Sequence, residues 1–197
     1  MGYVGADADL CTALAREVDL VGGTAHLVAD LNAARDTLTG LIRQYDVQTA
    51  LCWQHPLLER LGLDGLLASL KVERVRYDTL QELDRPAQWS AMLGAEIGIS
   101  SADYAVAETG SLALFSGPGH ERAATLLPPV HVAVVERPQI VADLIVLFER
   151  LDPNDLASNI VLVTGPSKTG DIELQLTTGV HGPGKWHVII IRESESA

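Results

Sequence analysis

The sequence predicts a single α/β domain with a mostly parallel, mixed β-sheet flanked by helices. Three observations lead to this fold class. Short apolar runs typical of buried strands alternate with segments of helical periodicity. The chain has 197 residues, which suits one domain. Because 47% of its residues are hydrophobic, it can bury a core without disulfides or a metal.

The first half of the chain shows this alternation in order. The first twenty residues are helix-like and are compatible with a separate N-terminal arm. Residues 31–45 place apolar side chains at helical intervals, which predicts a helix with one face on the sheet. Residues 49–53 (TALCW) predict a buried strand, and Pro56 then begins a helix that reaches Leu61. Residues 71–77 mix valine with charge and predict a strand near the sheet edge.

The second half contains the most apolar segments. Residues 130–135, 159–163 and 188–191 predict fully buried strands. Between the first two, residues 139–151 carry one apolar stripe, so we expect a strand, a helix and a parallel strand joined by a right-handed crossover. Residues 104–107 and 112–115 flank a polar turn and predict a tight hairpin within the same sheet. The stripe consists of Ile140, Leu144, Leu147, Phe148 and Leu151.

Charge and cysteine content exclude several classes of function. The formal net charge is −12 and the basic residues are scattered, which argues against a nucleic-acid partner. Cys11 and Cys52 form no Cys-x-x-Cys pair, so neither a disulfide framework nor a zinc knuckle is indicated. The N-terminal residues do not resemble a secretory signal, and no apolar run approaches the roughly 20 residues of a membrane span. We therefore expect a cytoplasmic protein.

Three polar, glycine-containing segments each adjoin an apolar run. They are residues 107–112 (AETGSL), 165–173 (GPSKTGDIE) and 179–184 (GVHGPG). Because α/β sheets bind ligands where their strands end, we expect the three segments to meet in one pocket for a small anion at the carboxyl edge of the sheet. The backbone amides of residues 165–169 and the side chains of Ser167, Lys168 and Thr169 are the main anion-binding candidates. The alternative is a turn whose hydroxyls satisfy the local backbone.

Five residues have both a functional and a structural interpretation. Glu108 is suited to act as an acid, base or nucleophile, or else to cap a turn. Arg122 presents a planar fork to a substrate carboxylate, or else pairs with Glu108. Asp171 and Glu173 are expected to orient the loop or bind a ligand, because their spacing with His181 does not favour a metal. His181 either faces the pocket or lies in a surface turn.

The ordered set of these segments, together with Arg122 and residues 127–131 (LPPVH), resembles the LUD domain family of lactate-utilisation proteins. The resemblance runs from about Glu17 to Arg192. It implies a fold similar to that of NagB, RpiA and the CoA transferases, and a role as an accessory or ligand-binding component of an L-lactate oxidation system that converts lactate to pyruvate. It also adds His131, which falls on the Pro-x-x-His pattern of the family; by itself, a histidine in an apolar strand is more often a hydrogen-bonded core residue.

The same resemblance implies iron–sulfur proteins as partners. A cluster held by one chain normally takes four thiolates, and this chain has two cysteines, so we expect no cofactor here and clusters on partner proteins. Two alternatives stay open: a free-standing CoA-transferase-like or sugar-phosphate enzyme with Glu108 as nucleophile or base, and a nucleotide-binding protein similar to cyclo-ligases. The residues assigned to the site are Glu108 for catalysis and, for ligand binding, Thr109, Gly110, Ser111, Arg122, His131, Ser167, Lys168, Thr169, Asp171, Glu173, His181 and Gly182.

Overall fold

A computed structural model of the chain describes residues 9–172, 175–178 and 182–193. Helices and strands alternate through most of this part of the chain, and a short 3-10 turn covers Arg137–Gln139. In chain order the elements are α1 (Leu10–Leu20), β1 (Thr24–Val28), α2 (Leu31–Gln44), β2 (Thr49–Cys52), α3 (Pro56–Arg60), α4 (Leu63–Ser69), β3 (Glu73–Val75), α5 (Tyr77–Leu80), α6 (Arg85–Leu93), β4 (Ile97–Ser100), β5 (Tyr104–Val106), β6 (Ser111–Phe115), α7 (Ala123–Leu126), β7 (Val130–Glu136), β8 (Ile140–Val141), α8 (Leu144–Glu149), β9 (Ile160–Val163), β10 (Lys168–Ile172), β11 (Gln175–Thr178) and β12 (Lys185–Ile191).

The main sheet has six strands in the order β1-β12-β7-β4-β2-β3, and every neighbouring pair is parallel. Its central strands β4, β7 and β12 are almost entirely buried, as expected for a parallel sheet with helices on both faces. The predicted α/β class is therefore confirmed. The predicted strands that became β2, β7 and β12 lie in this sheet, and β3 lies at its edge as expected.

A second sheet corrects part of the expected topology. Its four strands run in the order β8-β5-β6-β9. The predicted hairpin is confirmed as β5 and β6, but it belongs to this second sheet. The predicted parallel crossover over residues 130–163 is wrong, because β9 pairs antiparallel with β6. Strand β9 is also only partly buried, since it forms an edge of its sheet.

The segment predicted as one helix over residues 139–151 divides into β8 and α8. Ile140 and Val141 extend the second sheet by pairing with β5, which removes them from any helix. Helix α8 then buries Leu147 against that sheet, whereas Phe148 of the same predicted stripe is exposed. Pairing with a neighbouring strand therefore overrides the local helical periodicity.

The two faces of the main sheet carry different helices. Trp186 and His187 are consecutive in β12, so their side chains point to opposite faces. Trp186 lies against Gly23 and the neighbourhood of α1, while the Nε2 atom of His187 is 2.8 Å from the hydroxyl of Tyr45 at the end of α2. Helix α1 buries Leu14 and Val18 in the main core, so the described part of the predicted N-terminal arm is integrated into the domain.

The second sheet lies between two apolar clusters. Leu112 and Leu114 of β6 point into the main core, and Val106 and Ala113 point into a smaller cluster with Leu147 of α8. None of the helices in the described part of the chain combines the length and the apolar character that a bilayer span requires.

Helix α7 packs directly on β4 at Gly98. A Cβ atom built on Gly98 would collide with the backbone oxygen of Ala124. We therefore expect Gly98→Ala to lower the free energy of unfolding by about 2 kcal/mol or more, because α7 must move off the sheet. Gly40→Ala on the exposed side of α2 is the matched control, since a Cβ there meets no atom within 4 Å. It should raise stability by about 0.5–1 kcal/mol.

Denaturant unfolding of both variants measures these changes. Equal stability of Gly98→Ala and the unsubstituted protein would contradict the contact between α7 and β4.

Candidate functional site

A cavity of about 140 Å³ lies at the amino ends of β7 and β12. His131 and Trp186 are the second residues of these two strands and lie side by side in the strand register. They form the floor of the cavity. Its walls come from α7, from the segment that follows β9, and from the chain just before β12. The other lining residues are Thr125, Leu126, Val163, Gly165, Pro166, Ser167, Gly182 and Pro183.

The floor carries two buried nitrogen atoms that have no hydrogen-bond partner among the described residues. They are Nδ1 of His131 and Nε1 of Trp186. His131 is fully buried and Trp186 is 2% exposed. Buried polar atoms are nearly always paired, so two such exceptions in neighbouring residues that line one cavity make it the candidate ligand site.

The imidazole of His131 is held in place by a strand neighbour. Its Nε2 atom is 2.8 Å from the hydroxyl of Ser100 in β4. Burial lowers the pKa of His131 to about 4, so the ring is neutral near pH 7. If the hydroxyl donates to Nε2, Nδ1 carries the proton and is a donor; in the opposite tautomer Nδ1 is an acceptor. The indole Nε1 of Trp186 is a donor in either case.

Two of the three glycine-containing segments pack against the end of α1. Gly110 has a φ of +67°, and a Cβ built on it would lie 2.7 Å from backbone atoms of Glu17 and Val18. Gly165 has a φ of +90°, and its Cβ would lie 2.6 Å from the backbone oxygen of Val21. Both positions therefore require glycine for backbone conformation and for close contact with α1. A ligand is not needed to explain these two glycines.

Lys168 and the hydroxyl groups support the same junction. The Nζ atom of Lys168 donates a 2.8 Å hydrogen bond to the backbone oxygen of Val21, which caps the end of α1. The hydroxyl of Ser111 is 2.7 Å from those of both Thr109 and Thr164. This chain of three hydroxyls links the β5–β6 turn to the segment that begins the cavity wall.

The structure brings together some of the residues assigned from the sequence. His131, Ser167 and Gly182 line the cavity. The backbone N–H of Ser167 donates to the backbone oxygen of Pro183 at 2.9 Å, which joins the two glycine-containing segments around the opening. The predicted position at the carboxyl edge of the sheet is wrong, because the cavity lies at the amino ends of β7 and β12. The reason is that β9 belongs to the second sheet and delivers the loop to the opposite end of the main one.

Glu108 and Arg122 are not among the residues that line this cavity. The backbone N–H of Glu108 donates to Ala142 at 3.0 Å, which fixes the turn between β5 and β6. Arg122 precedes α7 and lines a separate, open groove near Trp89. No ion pair joins Glu108 to Arg122 within the part of the chain that the structure describes.

Four assigned residues cannot be placed fully. Glu173 and His181 lie outside the described residues. The backbone of Thr169 and Asp171 belongs to β10, but their side chains are outside the described part of the structure. In the ranges that are described, no group of three or more His, Cys, Asp and Glu side chains is arranged to hold a metal ion.

Trp186 lines the cavity but belongs to none of the segments that predict the site from the sequence. One signal was available: His131 follows Pro129 by two residues, and Trp186 follows Gly184 by two residues. Each is thus a ring with a polar atom at the start of an apolar run. Their pairing depends on β7 and β12 being neighbours in register, which one sequence does not show.

Comparison with known proteins gives a family match over most of the chain. The family model described as "LUD domain" matches residues 11–191. The chain is 29% identical to Lactate utilization protein C of Halalkalibacterium halodurans over 161 residues, covering 79% of this chain and 68% of that protein. It is 27% identical to Lactate utilization protein C of Bacillus subtilis over 184 residues, covering 86% of this chain and 73% of that protein.

A solved structure has the same fold. It is a DUF162 family protein from Deinococcus radiodurans, with a TM-score of 0.59 and 16% sequence identity. The match covers 93% of this chain and 96% of that one. At this level of identity the similarity extends to the fold alone.

The buried, neutral His131 predicts a pH dependence of stability. Its pKa is about 4 in the folded protein and near 6.5 when unfolded, so the unfolded chain binds more protons between these values. The contribution is fully present above pH 6.5 and is lost as the pH falls toward 4. Between pH 7 and pH 5 the folded protein loses about 2 kcal/mol of stability from this residue. His55 and His187, whose pKa values burial also lowers to about 4, add losses of the same sign.

Chemical unfolding at pH 7 and pH 5 tests the assignment to His131. His131→Gln should lose less stability than the unsubstituted protein between these two pH values, by about 2 kcal/mol. The loss in each protein is measured relative to the stability of that same protein at pH 7. Identical losses in the two proteins would contradict a neutral, buried His131.

Proposed function

The chain belongs to the LUD domain family, and we propose that it is an accessory, ligand-binding component of an L-lactate oxidation system that converts lactate to pyruvate. The observation that carries the proposal is that His131 and Trp186, at one small cavity, each have a buried nitrogen without a partner among the described residues. We assign the ligand of that cavity as a small 2-hydroxy acid or the corresponding 2-oxo acid.

The size and lining of the cavity support a small acid. Its volume of about 140 Å³ is below the roughly 300–1,000 Å³ of sites for drug-sized ligands, so it suits a molecule of few heavy atoms. Leu126, Val163 and Pro166 offer apolar contacts for a methyl group. We propose that Nδ1 of His131 and Nε1 of Trp186, the buried nitrogens of the two floor residues, orient one end of the ligand.

The hydrogen-bonding groups of a 2-hydroxy acid match the floor. A carboxylate oxygen accepts from the indole N–H of Trp186. The adjacent hydroxyl can both donate and accept, so it pairs with Nδ1 of His131 in either tautomer. Pairing these nitrogens removes the cost of leaving them buried without a partner, which favours binding.

Electron transfer is assigned to partner proteins. The two cysteines of the chain, Cys11 and Cys52, are both buried, and burial raises the pKa of Cys52 to about 12. Such a thiol is not a ready ligand or nucleophile near neutral pH. We therefore propose that iron–sulfur proteins of the same system carry the electrons, while this chain holds or positions the acid.

Removing one nitrogen tests the site. Trp186→Phe keeps an aromatic ring but deletes the indole N–H, and one hydrogen bond is worth about 1–1.5 kcal/mol. We expect L-lactate and pyruvate to bind this variant roughly fivefold to tenfold more weakly, as measured by titration calorimetry. Trp89→Phe is the matched control, because Trp89 is 52% exposed on α6 and should leave binding unchanged.

Equal affinity of Trp186→Phe and Trp89→Phe for both acids would contradict the site. The role in lactate oxidation is tested separately, by lactate-dependent dye reduction reconstituted with the iron–sulfur partner proteins. The rate should require this chain and should fall with Trp186→Phe at low lactate. Equal rates of dye reduction with and without the chain would contradict the accessory role even if the acid binds.

A further inference from the structure

A second crevice lies at the opposite end of the main sheet. Its volume is about 400 Å³. It is lined by Trp53, which directly follows β2, and by Arg76, which directly follows β3, so it sits beyond the carboxyl ends of these strands. All six strands are parallel, so the crevice is a full strand length away from the cavity at His131 and Trp186. We call it the strand-end crevice.

The topology makes this end of the sheet a favourable place for a ligand. From β2 the chain continues to β3 at one edge of the sheet, whereas from β4, the other neighbour of β2, it continues toward β7 on the opposite side. The strand order therefore reverses between β2 and β4. In open α/β sheets ligands bind outside the carboxyl ends of the strands, and the described lining of this crevice comes from the β2 and β3 side, next to the reversal.

Arg74 is a preorganised cation in this crevice. Its Nη2 atom donates a 3.0 Å hydrogen bond to the backbone oxygen of Trp53, which holds the guanidinium at the end of β2. Its Nε atom is buried and has no partner in the described ranges. Its remaining contact, from Nη1, is to the carboxylate of Asp64, whose side chain is 68% exposed. Asp64 is the exposed half of this ion pair and Arg74 the largely buried half, so a ligand oxyanion takes the place of Asp64 at Nη1.

His55 adds a neutral donor. The backbone N–H of Leu57 donates to Nδ1 of His55 at 3.2 Å, so the proton of the neutral ring is on Nε2. Burial, together with the neighbouring His120 and Arg60, lowers the pKa of His55 to about 4, which keeps the ring neutral near pH 7. His55 can therefore offer an N–H group to an oxygen atom without bringing a charge.

The rim of the crevice contains both signs of charge. Arg76 forms an ion pair with Asp78 in which both side chains are largely exposed. Glu59 is exposed on the rim. Arg74 and His55 are partly buried donors, whereas the acidic side chains of Glu59 and Asp64 are exposed. The interior of the crevice therefore matches an acceptor group.

We infer that the strand-end crevice is a second ligand site, which binds the oxyanion of a small metabolite through Arg74, with His55 as an additional donor. The ligand carries a carboxylate or phosphate group, since both present acceptor oxygens to a guanidinium fork. No residue of the described ranges lines both this crevice and the cavity at His131 and Trp186. The two sites are therefore tested with separate variants and probes.

Titration calorimetry on the full chain tests this site, with pyrophosphate and succinate as probes. Arg74→Gln should weaken binding of the preferred probe at least tenfold. Arg43→Gln is the matched control, because Arg43 is exposed on α2. This variant should bind the preferred probe as tightly as the unsubstituted chain does. Preference for pyrophosphate assigns a phosphate ligand, and preference for succinate assigns a carboxylate ligand.

A second variant covers the case in which Arg74→Gln fails to fold. Gly65 lines the crevice within α4, and a Cβ built on it meets no atom within 4 Å. Gly65→Phe should fold, because glycine is unfavourable inside a helix, and its ring should obstruct the crevice and abolish probe binding. Absence of binding of both probes to the unsubstituted chain, or unchanged binding in Gly65→Phe, would overturn the inference. Trp186→Phe should retain probe binding. A negative result at one site therefore leaves the test of the other site intact.

Discussion

The close backbone contact between the end of α1 and the turns of the second sheet is the constraint on which the site depends. Gly110 and Gly165 approach this helix so closely that neither position has room for a Cβ atom. Lys168 adds a hydrogen bond to Val21 at the last turn. On the other side, Gly23 lies against the ring of Trp186, where a Cβ would be 2.5 Å from the ring. Helix α1 thus joins the wall and the floor of the cavity.

This arrangement explains why the glycine-containing segments suggested a ligand site. Glycines at strand ends permit close approach of any partner, whether it is a ligand or another part of the backbone. At Gly110 and Gly165 the partner is α1. The third segment contributes Gly182 to the cavity itself. Some glycines of these segments therefore contact α1 and another lines the cavity. The groups proposed to bind the ligand belong to the rings of His131 and Trp186.

Much of the fold follows from local patterns in the sequence. Uninterrupted apolar runs predict β2, β7 and β12, because strands buried on both faces are apolar throughout. Apolar residues at helical intervals predict α2, because a helix packed on a sheet buries one stripe. The run that became β9 is equally apolar, but nothing local shows that it pairs with β6 in another sheet. Strand β1 contains Thr24 and His26, and β4 contains Gly98 and Ser100, so neither is the uninterrupted apolar run that marks a buried strand in the sequence.

The site was less predictable than the fold for a related reason. His131, Ser167 and Gly182 could be assigned from sequence segments, but Trp186 joins them only through the register of β7 and β12. The sequence does not predict the strand-end crevice, because Arg74 and His55 belong to no recognisable motif. They meet there because β2 and β3 are adjacent and end together.

The indole signals of the three tryptophans offer the most direct measurement of the central claim. Nε1 of Trp53 already donates to the backbone oxygen of Glu121 at 3.0 Å, and Trp89 is exposed, whereas Nε1 of Trp186 is buried without a partner in the described structure. In a ¹H–¹⁵N spectrum of indole-labelled protein, added L-lactate should move the Trp186 signal and leave those of Trp53 and Trp89 in place. A Trp186 signal that stays unchanged at saturating lactate would contradict a ligand site at His131 and Trp186.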